Sequence, residues 1–415
     1  MARKIVNSNG LHGRALRLLI ALPVLLTAAC ADGTPAPSTY TIQGGTTPEL
    51  NIGADGRAYL SWQEQRDGMA TLRFATFDGR GWAAPRTVAE GNDWFVNAAD
   101  FPSITAFGNG VIAAHWLHKT GADTYAYEVR MSLSRDGGAT WDAPFTVHDD
   151  ATPAEHGFVT LLPSARGGLD VVWLDGRNSG GSHEAGPETH GAMSLRHAVI
   201  DEGGRVISEE EVDDRSCDCC QTSAVMVSGG LLVAYRDRSE TEIRDVVVRH
   251  HDGTAWSDPV ALDRDHWKID GCPVNGPSLA AHARTIAVAW FSGASDVPKV
   301  LAAFSNDSGN TFTAPVRVDD GRPVGRVDVA VLDDGAALVS WIAMRDEAPA
   351  LNVRRVDAGG RLGMAETLAV LGPQAANGFP RMTRHGENIL VAWTERATDN
   401  TKVRATVLPV DRYRH

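Results

Sequence analysis

Beyond its first thirty residues, this 415-residue sequence has no apolar run near the roughly eighteen residues that a membrane-spanning helix needs. Apolar residues at helical spacing are scarce. Basic residues are in short supply too, 39 Lys and Arg against 52 Asp and Glu, and a net charge of −13 argues against nucleic acid as a partner. Glycine-rich stretches such as Ser179-Gly180-Gly181-Ser182 lack the strand-to-helix context that cradles phosphate, so nucleotide binding is not indicated. Cysteine is rare, five in all, and four of the five fall in two short stretches. What is abundant is glycine (42) and tryptophan (11), the composition of β structure with many turns.

The first thirty residues are read as an export signal. Arg3, Lys4, Arg14 and Arg17 form a basic start, and a short apolar core from Leu16 continues through Ala21–Leu26. The segment Leu26-Thr27-Ala28-Ala29-Cys30 resembles the lipobox of bacterial lipoproteins, in which the cysteine is lipidated and becomes the new N-terminus. The alternative is an ordinary cleaved signal that contains a cysteine. Lipid on Cys30 implies a cell-envelope protein on the periplasmic or outer-surface side, tethered to the membrane by the anchor alone. Residues 30–38, rich in Pro, Thr, Gly and Ala, read as a flexible tether. Residues 39–415 are expected to be one domain, and the protein a monomer.

A short β-rich run ending in an aromatic recurs at Ala58–Trp62, Val111–Trp116, Leu169–Trp173, Leu231–Tyr235, Thr285–Trp290, Ala337–Trp341 and Ile389–Trp393. The spacing is roughly fifty to sixty residues, and each run sits between turn signals. A four-stranded unit of this size cannot bury its own faces, and such units stack radially as the blades of an all-β propeller. Seven blades are expected, with six as the competing count. The last unit lacks a fourth strand, and Thr39-Tyr40-Thr41-Ile42-Gln43 supplies it, closing the ring and removing an exposed edge.

Two turns fit S-x-D-x-G-x-T-[WF]: Ser134-Arg135-Asp136-Gly137-Gly138-Ala139-Thr140-Trp141 and Ser305-Asn306-Asp307-Ser308-Gly309-Asn310-Thr311-Phe312. Degenerate copies stand at Asp78–Trp82 and Asp252–Trp256. They resemble the Asp-box, or bacterial neuraminidase repeat, and imply a sialidase-like propeller. In that family the boxes lie on the face opposite the active site. Inter-blade segments and the loops between second and third strands then collect on the other face, the usual ligand position.

Those segments are rich in aromatic, charged and cysteine residues. They hold Trp94 and Asp100, His118, Tyr125, Tyr127 and Glu128, His156, and the long blade 3 loop from Asp175 and Arg177 past His183 and Glu184 to His190. Further along come Cys217, Cys219 and Cys220, Arg236 and Arg238, His266, Trp267 and Cys272, and finally Arg326 and Arg381. The sialidase resemblance implies three arginines on a substrate carboxylate, a Tyr nucleophile activated by a Glu, and an Asp acid/base. Carried onto these loops, Arg177, Arg236 and Arg381 are the catalytic arginines, with Tyr127, Glu128 and Asp100 completing the set. Tyr125 and Asp175 are the alternates. Trp94, Arg238, Trp267 and Arg326 are expected to bind ligand. The family's F/Y-R-I-P motif is only echoed, at Phe101-Pro102-Ser103 and Phe379-Pro380-Arg381.

Three roles fit the cysteines. Two disulfides, with Cys272 bonded to one of the three upstream cysteines, suit an oxidising compartment. A thiolate site for zinc or copper, completed by His266, His156 or His118, is the second. Redox chemistry at Cys219 and Cys220 is the third. Three functions follow: an exo-glycosidase of sialidase type acting on acidic glycans and needing no cofactor, a propeller that binds a glycan or envelope protein without catalysis, and a Cys/His metal-binding propeller.

Overall fold

A computed structural model describes residues 39–165, 167–179, 191–372, 378–397 and 400–414. The leader, Cys30 and its tether lie outside the described residues, as do His183, Glu184 and His190. Among the described residues there are seven four-stranded antiparallel sheets, so the count is seven blades and not six. Blades 1 to 6 span residues 45–91, 104–146, 156–216, 223–261, 278–317 and 323–370. Blade 7 takes three strands from residues 381–409 and its outermost from Thr39–Gln43, which pairs from Thr39↔Thr406 to Gln43↔Lys402. The first strand of each blade touches the first strands of its neighbours right round the ring, so these strands line the axis.

Position in the blade explains each strand's composition. Second strands are covered on both sides, and Leu169–Asp175 is buried at every position, which requires a continuous apolar run. Outermost strands face solvent, and Val206–Ser216 carries five acidic residues and is buried at only two of its eleven positions. The recurrent aromatics all fall on second strands. Trp62 packs against blade 7, Trp116 against blade 1, Trp173 against blade 2, Tyr235 against blade 3, Trp290 against blade 4, Trp341 against blade 5 and Trp393 against blade 6. Each blade thus inserts one large ring into the blade before it, and seven such contacts make up the core.

The two S-x-D-x-G-x-T turns are closed by their own side chains. Asp136 Oδ1 accepts from the N–H groups of Ala139 and Thr140 at 3.0 and 2.9 Å, while Ser134 Oγ accepts from Gly138 at 2.8 Å. Asp307 and Ser305 repeat the pattern with Thr311 and Gly309. A surface pocket lined by Asp55, Arg57, Gly110 and Asp136 shows that these turns share a face with the first-to-second strand turns. The inter-blade segments are therefore left to the opposite face.

Emptying one inter-blade socket should weaken the whole ring. Trp173→Ala is expected to lower the unfolding free energy by about 3–5 kcal/mol in a urea titration. Met364→Ala, at a side chain 92% exposed, should change it by less than about 0.5 kcal/mol.

Candidate functional site

The first strands enclose an axial cavity of about 720 Å³, whose lining includes Glu49, Asp100, Phe101, Gln221, Asp328 and Arg381. Three of these strands are broken by bulges near the mouth. The register shifts between Thr46 and Glu49, between Gly157 and Thr160, and between Gly325 and Asp328. Inside each bulge a non-glycine residue takes a positive φ: Thr47 at 50°, Phe158 at 55° and Arg326 at 57°. Such strain costs on the order of 1–3 kcal/mol per residue and gathers where a fold re-aims side chains for use. The Phe158 bulge also needs Gly157, where a Cβ would come within 1.9 Å of an Asp100 oxygen.

Arg381 lies between two buried carboxyl groups, its Nε 2.8 Å from Glu49 and 3.7 Å from Asp328. Its guanidinium carbon is 5.9 Å from the Phe101 ring. Burial raises the Glu49 pKa from an ordinary 4.5 to about 7, with Arg381 opposing and Asp328 adding to the rise. Asp328 is held in place by donors: Ser278 Oγ at 2.5 Å and the N–H of Met382 at 2.7 Å. Arg326 stands nearby over the Phe379 ring at 4.5 Å, and its Nε and Nη1 have no hydrogen-bond partner. Burial lowers its pKa to about 10, against the favourable influence of Cys220 and Cys219.

Tyr127 is fully buried under the stacked ring of Phe95 at 4.1 Å. Its hydroxyl lies 2.8 Å from Asp100 and 2.6 Å from Glu155. A phenol has one proton to donate, so one of these contacts requires a protonated carboxyl. Asp100 is the group that burial pushes up, to about 8, despite the N–H of Phe158 that favours its charge. Glu128 does not join this set. As the next residue along the strand it faces the other way, onto His118 Nδ1 at 3.2 Å and Arg130 at 2.5 Å. The expected Tyr127–Glu128 pair is thus corrected to Tyr127 with Asp100 and Glu155, a buried set in which Asp100 also borders the axial cavity.

Arg177 belongs to a separate cluster around blade 3. It pairs with Asp175 at 2.8 Å, Glu209 at 2.9 Å and Asp150 at 3.4 Å. Beside it the rings of His148 and His156 stack at 3.9 Å, with Asp150 2.7 Å from His148 and 3.3 Å from His156. His148, Asp150 and His156 are close enough to share an ion, although Arg177 already occupies part of the Asp150 charge. Burial disfavours the charged form of His156, and the Asp150 and Asp175 carboxylates outweigh it and raise its pKa.

The remaining arginines spend their donors inside the protein. Arg236 is 2% exposed and donates to the carbonyls of Asn275, Arg244 and Phe291, with Trp267 4.9 Å away as a cation–π partner. Arg238 pairs with Asp218 at 2.5 Å and Glu242 at 2.9 Å. Arg177, Arg236 and Arg381 therefore do not converge on one carboxylate position. Trp94, stacked on Trp116 at 5.4 Å, and Trp267, edge-on to Phe291 at 5.6 Å, are core residues with under a tenth of their surface free.

The cysteines do converge. Cys217 Sγ is 2.9 Å from Cys220 and 4.0 Å from Cys219, and Cys272 lies beside Cys219. No sulfur–sulfur bond joins any of the four in this structure. Cys217, Cys219 and Cys220 are close enough to share an ion. His266 faces Asp245 at 3.6 Å instead, His118 faces Asp93, and His156 sits in the blade 3 cluster, so none of the three expected histidines completes the sulfur shell.

Sequence reasoning did not single out Glu49, Asp328, Asp150 or His148. Glu49 and Asp328 did leave a signal, an acidic side chain inside an otherwise buried strand, Gly45–Ile52 or Pro323–Val331.

No family model matches the sequence, and no curated protein matches it. Solved structures share the fold. An ulvan lyase from a polysaccharide lyase family superposes with a TM-score of 0.56 at 11% identity, over 88% of this chain and 95% of that one. An α-L-arabinanase from Penicillium chrysogenum, complexed with arabinobiose, gives 0.50 at 11% identity over 92% and 100%. A sialidase from Streptococcus pneumoniae overlaps more loosely, at 0.44 and 11% identity over 88% and 68%. At these identities the likeness is one of fold.

The raised carboxyls set a pH dependence of stability. Glu49 and Asp100 hold their protons to about 7 and 8 in the folded chain, and the unfolded chain releases them near 4.5 and 3.8. Their contribution is full below the unfolded values and is lost as pH rises through the folded ones. Unfolding free energy is expected to fall from pH 4.5 to 8, and Glu49→Gln to flatten the part below 7, as read by urea unfolding at fixed pH steps.

Proposed function

We propose that this chain is a glycan-active propeller that cleaves an acidic saccharide at the mouth of its axial cavity. The observation that carries the reading is the array of Arg381 between Glu49 and Asp328 in the cavity wall. Glycosidic bond cleavage needs one carboxyl group that holds a proton near neutral pH and a second that stays available as base or nucleophile. Glu49, raised to about 7, takes the first role, and Asp328, fixed by Ser278 and Met382, takes the second. Arg381 keeps both in place and adds positive charge. Arg326 supplies a second guanidinium for a sugar carboxylate, which is the reason to favour sialic-acid or uronic-acid glycans. Structural neighbours named as an arabinanase and polysaccharide lyases put carbohydrate chemistry within reach of this fold.

The test is product release from sialylated and uronate-containing oligosaccharides. Glu49→Gln is expected to reduce turnover by roughly 10²–10⁴-fold while the β-rich circular dichroism spectrum is kept. Turnover equal to the parent protein would remove Glu49 from the chemistry. Glycan retained on the protein with no product from any substrate would make this a binding propeller. The sequence of the leader supports a location at the cell envelope, held by lipid on Cys30. Cys30→Ser is then expected to move the chain from the membrane fraction to the soluble one.

A further inference from the structure

Four sulfurs and three guanidinium groups gather where the segments that precede blades 4 and 5 meet. Cys217, Cys219 and Cys220 follow Val206–Ser216, the last strand of blade 3, and Cys272 precedes Ser278–His282, the first of blade 5. The three upstream Sγ atoms all lie within 4.8 Å of one another. Cys217 and Cys220 are 1% and 2% exposed, and Cys272 is on the surface.

Two of the three cations around them have no carboxylate beside them. The third, Arg244, itself 2% exposed, donates through Nη1 to Cys217 Sγ at 3.3 Å and through Nη2 to Glu242 at 2.6 Å. Among the described residues Arg236 has no carboxylate partner, and it spends its donors on the carbonyls of Asn275, Arg244 and Phe291. Arg326 leaves Nε and Nη1 without a hydrogen-bond partner and has Cys219 and Cys220 as neighbours. A buried cation without a counter-charge is costly. Thiols are weak, uncharged partners, and a pair of disulfides would be neutral as well. Thiolates bound to a metal ion form a centre that is anionic overall, and that centre would offset the charge of Arg236 and Arg326 and add to the Glu242 carboxylate at Arg244.

The spacing is compatible with such a centre. Two thiolates on one zinc, each about 2.3 Å from the metal, stand roughly 3.8 Å apart. Cys217 and Cys219 are at 4.0 Å. Cys217 and Cys220, at 2.9 Å, are well beyond the ~2.05 Å of a disulfide and need to part slightly to admit an ion. The donor set is all sulfur, which selects soft, thiophilic cations over calcium or magnesium.

We propose that Cys217, Cys219, Cys220 and Cys272 hold one thiophilic d10 cation, zinc(II) or copper(I), which clamps the segments before blades 4 and 5 together at the mouth of the propeller. Cys217, Cys219 and Cys220 form the buried part of the site, and Cys272 closes it from the surface. This site shares no ligand with the array of Glu49, Asp328 and Arg381, only Arg326 borders both, and its test reads metal and thiols, not turnover.

The full chain is purified without thiol reagents or chelators, and its metal content and native mass are measured. One zinc or one copper per chain, with the four thiols protected from alkylation until the ion is chelated, is the expected result, and the element found distinguishes the two ions. Protein that arrives metal-free is reduced and titrated anaerobically with zinc(II) or copper(I) against a chromophoric competitor, and one equivalent bound is expected. The double variant Cys217→Ser/Cys220→Ser should lose at least tenfold in metal content. Cys272→Ser, changed at the surface, should keep the fold and bind the ion more weakly. His148→Ala/His156→Ala should retain metal at the parent level. Two disulfides that persist without metal, reduced thiols that take up neither ion, or metal unchanged in both cysteine variants would each overturn the proposal.

Discussion

The ring exists because its first strand closes its last blade. Thr39–Gln43 pairs with Asn400–Pro409 along its whole length, and Arg404 Nη1 reaches across to Thr41 Oγ1 at 2.8 Å. Without that strand, blade 7 would end in an open edge and the socket for Trp62 would stand on an incomplete blade. Because every blade lodges its aromatic in the one before it, a defect at the seam is felt by both neighbours. Closure also fixes the axis, and with it the distance over which side chains of different blades face one another.

The mouth follows from this closure. First strands run away from it and third strands do too, so the segments entering each blade and the loops joining second to third strands are the ones brought together there. Three of the first strands are bent by bulges with residues at positive φ, which turn Glu49, the Phe158 amide and Arg326 toward the mouth. Strain of this kind is kept only where the surrounding packing holds it. Here the ring supplies that support from both sides.

Charge is then divided among three centres. Arg381 is balanced by carboxylates, Arg177 by an acidic cluster with two stacked histidines, and the group of Arg236, Arg244 and Arg326 faces sulfur. The first lies in the wall of the axial cavity, and the third beside the four cysteines.

Local sequence determined the blades. The repeated apolar run with its terminal aromatic, the glycine turns and the S-x-D-x-G-x-T boxes each act over a few residues, so a period in the sequence became a period in space, and Thr39–Gln43 stood out as the strand left over. That the cysteines share one mouth was legible for the same reason, since all four lie in segments entering blades 4 and 5. Which side chains meet was not. Tyr127 and Glu128 are adjacent in sequence and point to opposite faces of one strand, while Glu49 and Arg381, from opposite ends of the chain, are 2.8 Å apart. Trp94 and Trp267, expected to bind ligand, and Arg236, expected to be catalytic, were drawn into packing and backbone hydrogen bonds. Contacts across the ring depend on its radius, on the bulges and on the register of seven first strands, and these are set only when the ring closes.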